Sequence, residues 1–143
     1  MNNIKVRKTT LEDFALLSVW WMEHGEEPPY IDQLPDKGLG GFIVEKDGIP
    51  IAATYLYLTN SSIAYIANAI SNKNYKSKDR FELIRLLLNA CENQARAYGC
   101  NFIFCTSSSK GVIKRCIKSG YNIVGEKHDI ITKTLINGRK NFR

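Results

Sequence analysis

The sequence predicts one α/β domain in which a mixed, mainly antiparallel sheet carries helices on both faces. Three observations lead there. The dipeptide Asp47-Gly48 sits between two apolar runs, 41–46 and 49–59, which is the turn chemistry of an antiparallel hairpin. Phe81, Ile84, Leu88, Cys91, Ala95 and Tyr98 recur at alternating intervals of three and four, the period of an amphipathic helix. An apolar run, 100–106, follows that helix, and a second helical run follows it. Strand–helix alternation after a meander gives a mixed sheet covered on its faces.

The chain of 143 residues has the length of one domain. A domain of this size buries roughly 70% of the surface of its unfolded chain and needs no covalent staples. No apolar run approaches the roughly 20 residues that span a bilayer. The first residues, MNNIKVRKTTLEDF, have no apolar core and no small-residue cleavage site, so they do not read as a signal peptide. The expectation is a soluble, cytoplasmic protein with no membrane partner. The four cysteines, 91, 100, 105 and 116, make no CxxC pair, and His24 and His128 lie far apart. No metal site is expected, since zinc ligands come in tight pairs. The net charge of +6 admits an anionic partner and selects none. No RNA or DNA motif and no basic stripe with interleaved aromatics points to nucleic acid.

Taken in order, Ile4 to Lys8 alternates apolar and basic residues as a half-buried strand does. Thr9 or Thr10 then offers a helix cap, with Glu12 and Asp13 in the first turn. Phe14, Leu17 and Trp21 form the apolar face of that helix, widened by Leu11, Val19 and Trp20. Adjacent residues do not share a helix face, so one tryptophan is expected in the core and the other at a cleft. Gly25 and Pro28-Pro29 end the helix near His24, and a loop with a short turn near 31–34 leads to Gly41. The hairpin about Asp47-Gly48 is followed by a turn at Asn60-Ser61 and a third strand, 62–71, apolar enough to be covered on both faces. Tyr65 and Asn68 fall on opposite faces of it, and a polar Asn68 in a buried run needs a hydrogen-bond partner. After a polar loop, Asp79 with Glu82 has capping-box spacing. Gly99 closes the long helix, 100–106 is a buried strand, and Ser107 to Ser109 cap a helix through Lys118. Residues 121–125 and 127–135 are expected to add two last strands.

This order resembles the GNAT superfamily of N-acyltransferases over about residues 4 to 135. Four phrases carry the resemblance: GFIVEKDGIPIAATYLYL for its hairpin, IAYIANAIS for its central strand, NKNYKSKDRFELIRLLLNACENQARAYGC for its cofactor loop and helix, and IKRCIKSGYNIVG for its closing helix and Gly-aromatic pair. The expected fold is therefore a GNAT-like α/β sheet. The resemblance implies acetyl-coenzyme A as co-substrate and a small-molecule or peptide amine as acceptor, and a homodimer or larger assembly is compatible with it. Lys76, Ser77, Lys78, Asp79, Arg80 and Phe81 stand where the family's loop wraps the coenzyme A diphosphate, and Ser108 or Ser109 stands near a family asparagine. The loop lacks the family's glycines, which let backbone N–H groups approach a pyrophosphate. Lys73, Lys76, Lys78 and Arg80 supply positive charge instead. The bland alternative is a solvated basic turn, and for the serines an N-cap.

The resemblance also implies that the backbone of Asn68, Ala69, Ile70 and Ser71 lies against the thioester, where N–H groups polarise its carbonyl. Cys116 stands at the position of the family's tyrosine acid, four residues before Gly120-Tyr121. A thiol with an ordinary pKa near 8.5 can donate a proton, and Tyr121 is a second candidate; the alternative for Cys116 is a buried helix residue. Glu26 belongs to an acidic group (Glu23, Glu26, Glu27, Asp32, Asp36) suited to a cationic amine, or simply to a solvated loop. Two functions stay open: N-acetyl transfer, and a catalytically silent GNAT-fold component of a larger assembly, which the missing glycines and tyrosine favour.

Overall fold

The computed structural model describes residues 3–107 and 109–135. Its elements are β1 (Ile4–Lys8), α1 (Asp13–Glu23), two 3₁₀ turns (Ile31–Gln33, Pro35–Gly38), β2 (Gly41–Lys46), β3 (Ile49–Leu58), β4 (Ile63–Ser71), α2 (Arg80–Ala97), β5 (Phe102–Phe104) and α3 (Lys110–Lys118). The five strands lie in chain order in one mixed sheet. β1 to β4 are antiparallel neighbours, and β5 pairs parallel to β4. Asp47 and Gly48 turn the β2–β3 hairpin at φ of +52° and +79°, the left-handed pair that matches strand twist.

Alternation along the strands gives the sheet two apolar faces, and one helix layer buries each. Val44, Ile51, Leu56, Ala64 and Ile66 pack against Leu83, Leu87, Leu88 and Cys91 of α2. Ile43, Ala53, Tyr55 and Ile70 pack against Leu17, Trp20 and Trp21 of α1. Both tryptophans are buried, at 3% and 2% exposure, contrary to the expectation that one lines a cleft. Leu34 from the 3₁₀ region closes over the same cluster, so α1 is covered by the loop as well as by the sheet. Leu11 and Val19 remain exposed.

The start of α1 is also different. Neither threonine caps it. Thr9 is buried, its hydroxyl donating to the Gly38 carbonyl at 2.8 Å and accepting from Gly41 N–H at 3.1 Å. The Asp13 carboxylate reaches back instead, accepting from Thr10 N–H at 2.7 Å and from the Arg7 guanidinium at 2.8 and 2.9 Å. Burial of that carboxylate is offset by these donors, and Arg7 holds its pKa below the ordinary range.

The far edge of the sheet is shorter than the sequence suggests. β5 spans three residues, and Phe102 and Phe104 are exposed, so 100–106 is not a buried strand. Residues 121–135 form no strand; Ile130, Ile131 and Leu135 are 82–90% exposed. The edge of β5 is too short to hold a strand of that length by ladder hydrogen bonds. β4 is covered on both faces, by α2 over Ala64 and Ile66 and by the α1 cluster over Ile70, with Tyr65 and Ala67 half-buried. Among the described residues no helix is long and apolar enough to cross a membrane.

Candidate functional site

The site begins where β4 and β5 part. Their ladder holds only Ile63 to Tyr65 against Phe102 to Phe104, while β4 continues to Ser71. A bulge marks the separation. On β3, Ala53 faces Ile70 and Tyr55 faces Ala67, so β4 carries one extra residue there. Asn68 takes it up at φ +57°. A bulge bends its strand and increases its twist, and the bulged part of β4 has no β5 partner.

The bulge also turns the Asn68 side chain. Its amide donates to the Tyr57 hydroxyl, which donates to the Gln33 carbonyl at 3.1 Å. Tyr65 lies beside the same ring, 6.0 Å between centroids, and its hydroxyl shares a hydrogen bond with Thr106 at 3.2 Å. Asn68 and Tyr65 thus converge on one face rather than pointing to opposite ones, because the extra residue shifts the alternation. Ala69 is exposed and Ile70 belongs to the α1-face core. Ser71 closes the strand: its carbonyl accepts from His24 Nε2 at 3.0 Å, and its hydroxyl accepts from Arg80 at 2.6 Å. The His24 bond ties the loop carrying Glu26 to the end of β4. Glu26 is exposed, with its backbone N–H donating to the Trp21 carbonyl at 2.9 Å.

The loop from Asn72 to Asp79 leads into α2. Asp79 occupies the N-cap position and makes no cap with its side chain. Its carboxylate forms an ion pair with Lys46 and accepts from the Tyr75 hydroxyl at 2.5 Å. Those donors, with Ser77, bring its pKa down to about 2. Glu82 pairs with Arg85 at 2.7 Å. The expected capping box is absent because both carboxylates have cationic partners that outcompete a backbone N–H. The negative charge of Asp79 is thereby balanced. Lys76, Ser77 and Lys78 are exposed. Lys73 donates to the Glu23 carbonyl at 3.3 Å. Phe81 is half-buried and turns toward α3, with Lys118 Nζ 5.4 Å from its ring centre.

Arg80 is the charged group set deepest here. It donates to Ser71 Oγ and, at 3.4 Å, to the Tyr75 carbonyl, while its Nε is shielded from solvent and has no partner. Burial and the positive charge of Arg115 lower its pKa. Among the described residues no carboxylate pairs with Arg80 or Arg115. A buried, unpaired donor on a cation beside a second cation is poised for an anion.

Ser109 caps α3, its Oγ accepting from Val112 N–H at 3.4 Å; Ser108 lies outside the described residues. Cys116 lies on α3 and Cys105 directly follows β5, both half-buried. The Tyr121 hydroxyl donates to Glu92 of α2 at 2.9 Å, and burial with that carboxylate raises its pKa strongly. Among the described residues no three His, Cys, Asp or Glu side chains gather as a metal site. Sequence reasoning missed Lys46, Arg115 and Glu92. Each acts through a contact between distant elements that no local spacing encodes.

No family profile and no curated protein matches the chain. Solved structures do. The aminoglycoside N-acetyltransferase AAC(6')-Iy, in complex with the bisubstrate analog CoA-S-monomethyl-acetylneamine, superposes with a TM-score of 0.65 at 14% identity over 92% of this chain and 99% of its own. A predicted acetyltransferase from Clostridium acetobutylicum, solved with acetyl-CoA, gives 0.59 at 18% identity over 92% and 96%. The fold is that of the GNAT acetyltransferases. N-acetylglutamate synthase from Neisseria gonorrhoeae, complexed with coenzyme A and N-acetyl-glutamate, gives 0.61 at 18% identity over 78% of this chain. The chain spans only 27% of the length of that synthase. The bulge at Asn68 and the Ser71–Arg80 contact at the start of α2 both lie on the part of β4 that has no β5 partner.

Proposed function

We propose that this GNAT-fold chain transfers an acetyl group from acetyl-coenzyme A to a small-molecule or peptide amine. The observation that carries the proposal is the stretch of β4 beyond its pairing with β5, which holds the Asn68 bulge and ends at Ser71 against Arg80, whose Nε has no partner. Structural neighbours solved with coenzyme A ligands support it. The residues fit a diphosphate: Arg80 Nε lacks a partner, and Lys46 balances Asp79.

Acetyl-coenzyme A supplies an acyl carbon already activated as a thioester. Arg80, Lys76 and Lys78, with backbone from Ser77 to Phe81 at the positive end of α2, hold the diphosphate. Charged side chains thus do what the family's glycines do with backbone. Backbone N–H groups of Asn68 to Ser71 polarise the thioester carbonyl. Tyr57, gripped between Asn68 and Gln33, fixes the bulge so that these donors are positioned before the reaction. Glu26 receives the proton of the incoming ammonium through water. Cys116 and Tyr121 flank the thiol end, but both are poor acids: Glu92 holds the tyrosine proton, and Cys116 is a half-buried thiol and so a poor hydrogen-bond donor. Proton return to a leaving thiolate, whose ordinary pKa is near 8.5, therefore depends mainly on water.

That weakness on the thiol side favours a second reading, a catalytically silent GNAT-fold component of a larger assembly. The two are separated by following free thiol released from acetyl-coenzyme A over a panel of polyamines, amino sugars and peptides. Saturable, amine-dependent release supports transfer. No release above the buffer rate from folded protein supports the silent component.

A further inference from the structure

Three aromatic rings lie in a row across the sheet where β4 and β5 still pair. Tyr57, Tyr65 and Phe104 are direct cross-strand partners on β3, β4 and β5, so their side chains share one face. Ring centroids are 6.0 Å apart from Tyr57 to Tyr65 and 5.3 Å apart from Tyr65 to Phe104, with the planes tilted by 50° and 33°. The shared face is the α1 side: Tyr57 packs against the α1 cluster, whereas Ile103, next to Phe104 on β5, packs on the α2 side. Cover falls away along the row. Tyr57 and Tyr65 are half-buried and Phe104 is 45% exposed, since α1 packs over Ile43, Ala53, Tyr55 and Ile70 instead. The hydroxyls are engaged. Tyr57 accepts from the Asn68 amide and donates to the Gln33 carbonyl, and Tyr65 shares a hydrogen bond with Thr106. What the row offers a ligand is therefore ring surface.

We infer that this row is the acceptor subsite and that it takes an arylalkylamine, an amine carried on an aromatic ring by a short alkyl chain. The inference rests on the acetyl-transfer reading and narrows its acceptor. Position supports it. The Asn68–Tyr57 hydrogen bond joins the row to the bulge. From Tyr65 to Asn68 the strand advances three residues, at most about 10 Å, and a phenyl ring with a two- or three-carbon amine chain is of that length. Chemistry supports it as well. An aryl group gains from offset or edge contact with the three rings, and their electron-rich faces attract the incoming ammonium. Glu26, exposed on the loop that His24 ties to the Ser71 carbonyl, adds negative charge toward the same end of β4. A polyhydroxylated amine such as an amino sugar meets no unengaged hydroxyl on the row, and hydroxyls pressed onto ring faces lose their water without a replacement partner. Selection is thus by apolar ring surface rather than by hydrogen bonding.

The test compares 2-phenylethylamine with glucosamine, in binding and then in turnover. Each amine is titrated into the full chain without acetyl-coenzyme A, and the tyrosine and phenylalanine ring signals are followed by NMR. 2-Phenylethylamine is expected to bind at least about tenfold more tightly than glucosamine, the worth of one aromatic contact with its burial. Phe104→Ala is expected to remove that preference, and Phe104→Trp, which keeps a ring, to retain it. Equal affinities, or a preference unchanged in folded Phe104→Ala, overturn the inference. Should Phe104→Ala fail to fold, Phe104→Leu decides: it keeps apolar bulk without a ring, so it is expected to lose the preference, and a retained preference overturns the inference. Thiol release from acetyl-coenzyme A then separates the subsite from the reading it rests on. Ring-dependent binding of 2-phenylethylamine without thiol release removes the transfer reading while the arylalkylamine site stands. Thiol release as fast with glucosamine as with 2-phenylethylamine, and unchanged in Phe104→Ala, overturns the subsite while transfer stands.

Discussion

Asn68 donates its side-chain amide to the Tyr57 hydroxyl from a backbone held at φ +57°. Left-handed backbone costs a side chain with a Cβ roughly 1 kcal/mol, and asparagine bears it better than most. Asn68→Ala therefore loses a hydrogen bond and keeps the backbone cost, and is expected to destabilise the fold by about 2 kcal/mol. Asn68→Gly loses the same bond but relaxes the backbone, and is expected to cost only about half as much. Urea denaturation of both variants checks the order. A glycine variant less stable than the alanine variant would show that the bulge does not set the backbone cost.

Asp79 gives a pH signature. Lys46 and Tyr75 depress its folded pKa to about 2 from an ordinary 3.8. A depressed carboxylate contributes stability that is present above its unfolded pKa and lost as pH falls through the folded one. The anchor of the 72–79 loop should thus be intact above about pH 4 and released as pH falls toward about 2. Carbon-detected titration of Asp79 reads the midpoint directly. Lys46→Met is expected to move it back toward the ordinary value, and an unmoved midpoint would show that the ion pair does not hold the loop.

Cys116 tests the chemistry. It is a half-buried thiol and so a poor hydrogen-bond donor, and its removal is expected to leave kcat within about tenfold, whereas a true general acid contributes roughly 10²–10⁴-fold. Cys116→Ala is expected to cost on the order of 1 kcal/mol through a small cavity. Turnover on one amine, corrected for folded fraction, is the comparison. A thousandfold loss would assign the acid to Cys116.

Much of the fold is legible in the sequence because it rests on local chemistry. Asp47-Gly48 needs left-handed backbone at both positions and says so in its residue types. The apolar series from Phe81 to Tyr98 marks α2 by spacing; Leu88, Cys91 and Ala95 of it are buried, together with Leu83 and Leu87 off it, while Tyr98 is exposed. What was not legible depends on contacts between distant residues. Asp79 has the spacing of a cap, yet Lys46, at the far end of β2, takes its carboxylate. The bulge at Asn68 follows from how β3 and β4 register, so the face of its side chain could not be read by alternation. Residues 127–135 alternate well enough for a strand but meet an edge only three residues long. In the site, the cationic loop is visible as composition, while the field of Arg115 at Arg80 and the Tyr121–Glu92 hydrogen bond arise only when α3 and the turn after it pack on α2.

The central claim, that the opening along β4 holds a coenzyme A thioester with its diphosphate at Arg80, is tested most directly by calorimetry with acetyl-coenzyme A. The wild type is expected to bind one equivalent with a Kd well below about 1 mM. Lys76→Glu with Lys78→Glu, on exposed side chains, is expected to weaken binding severalfold and flatten its salt dependence. Arg80→Ala is expected to weaken it by about tenfold or more, the worth of a charged hydrogen bond. Folded wild-type protein that gives no binding heat at about millimolar ligand would contradict the account.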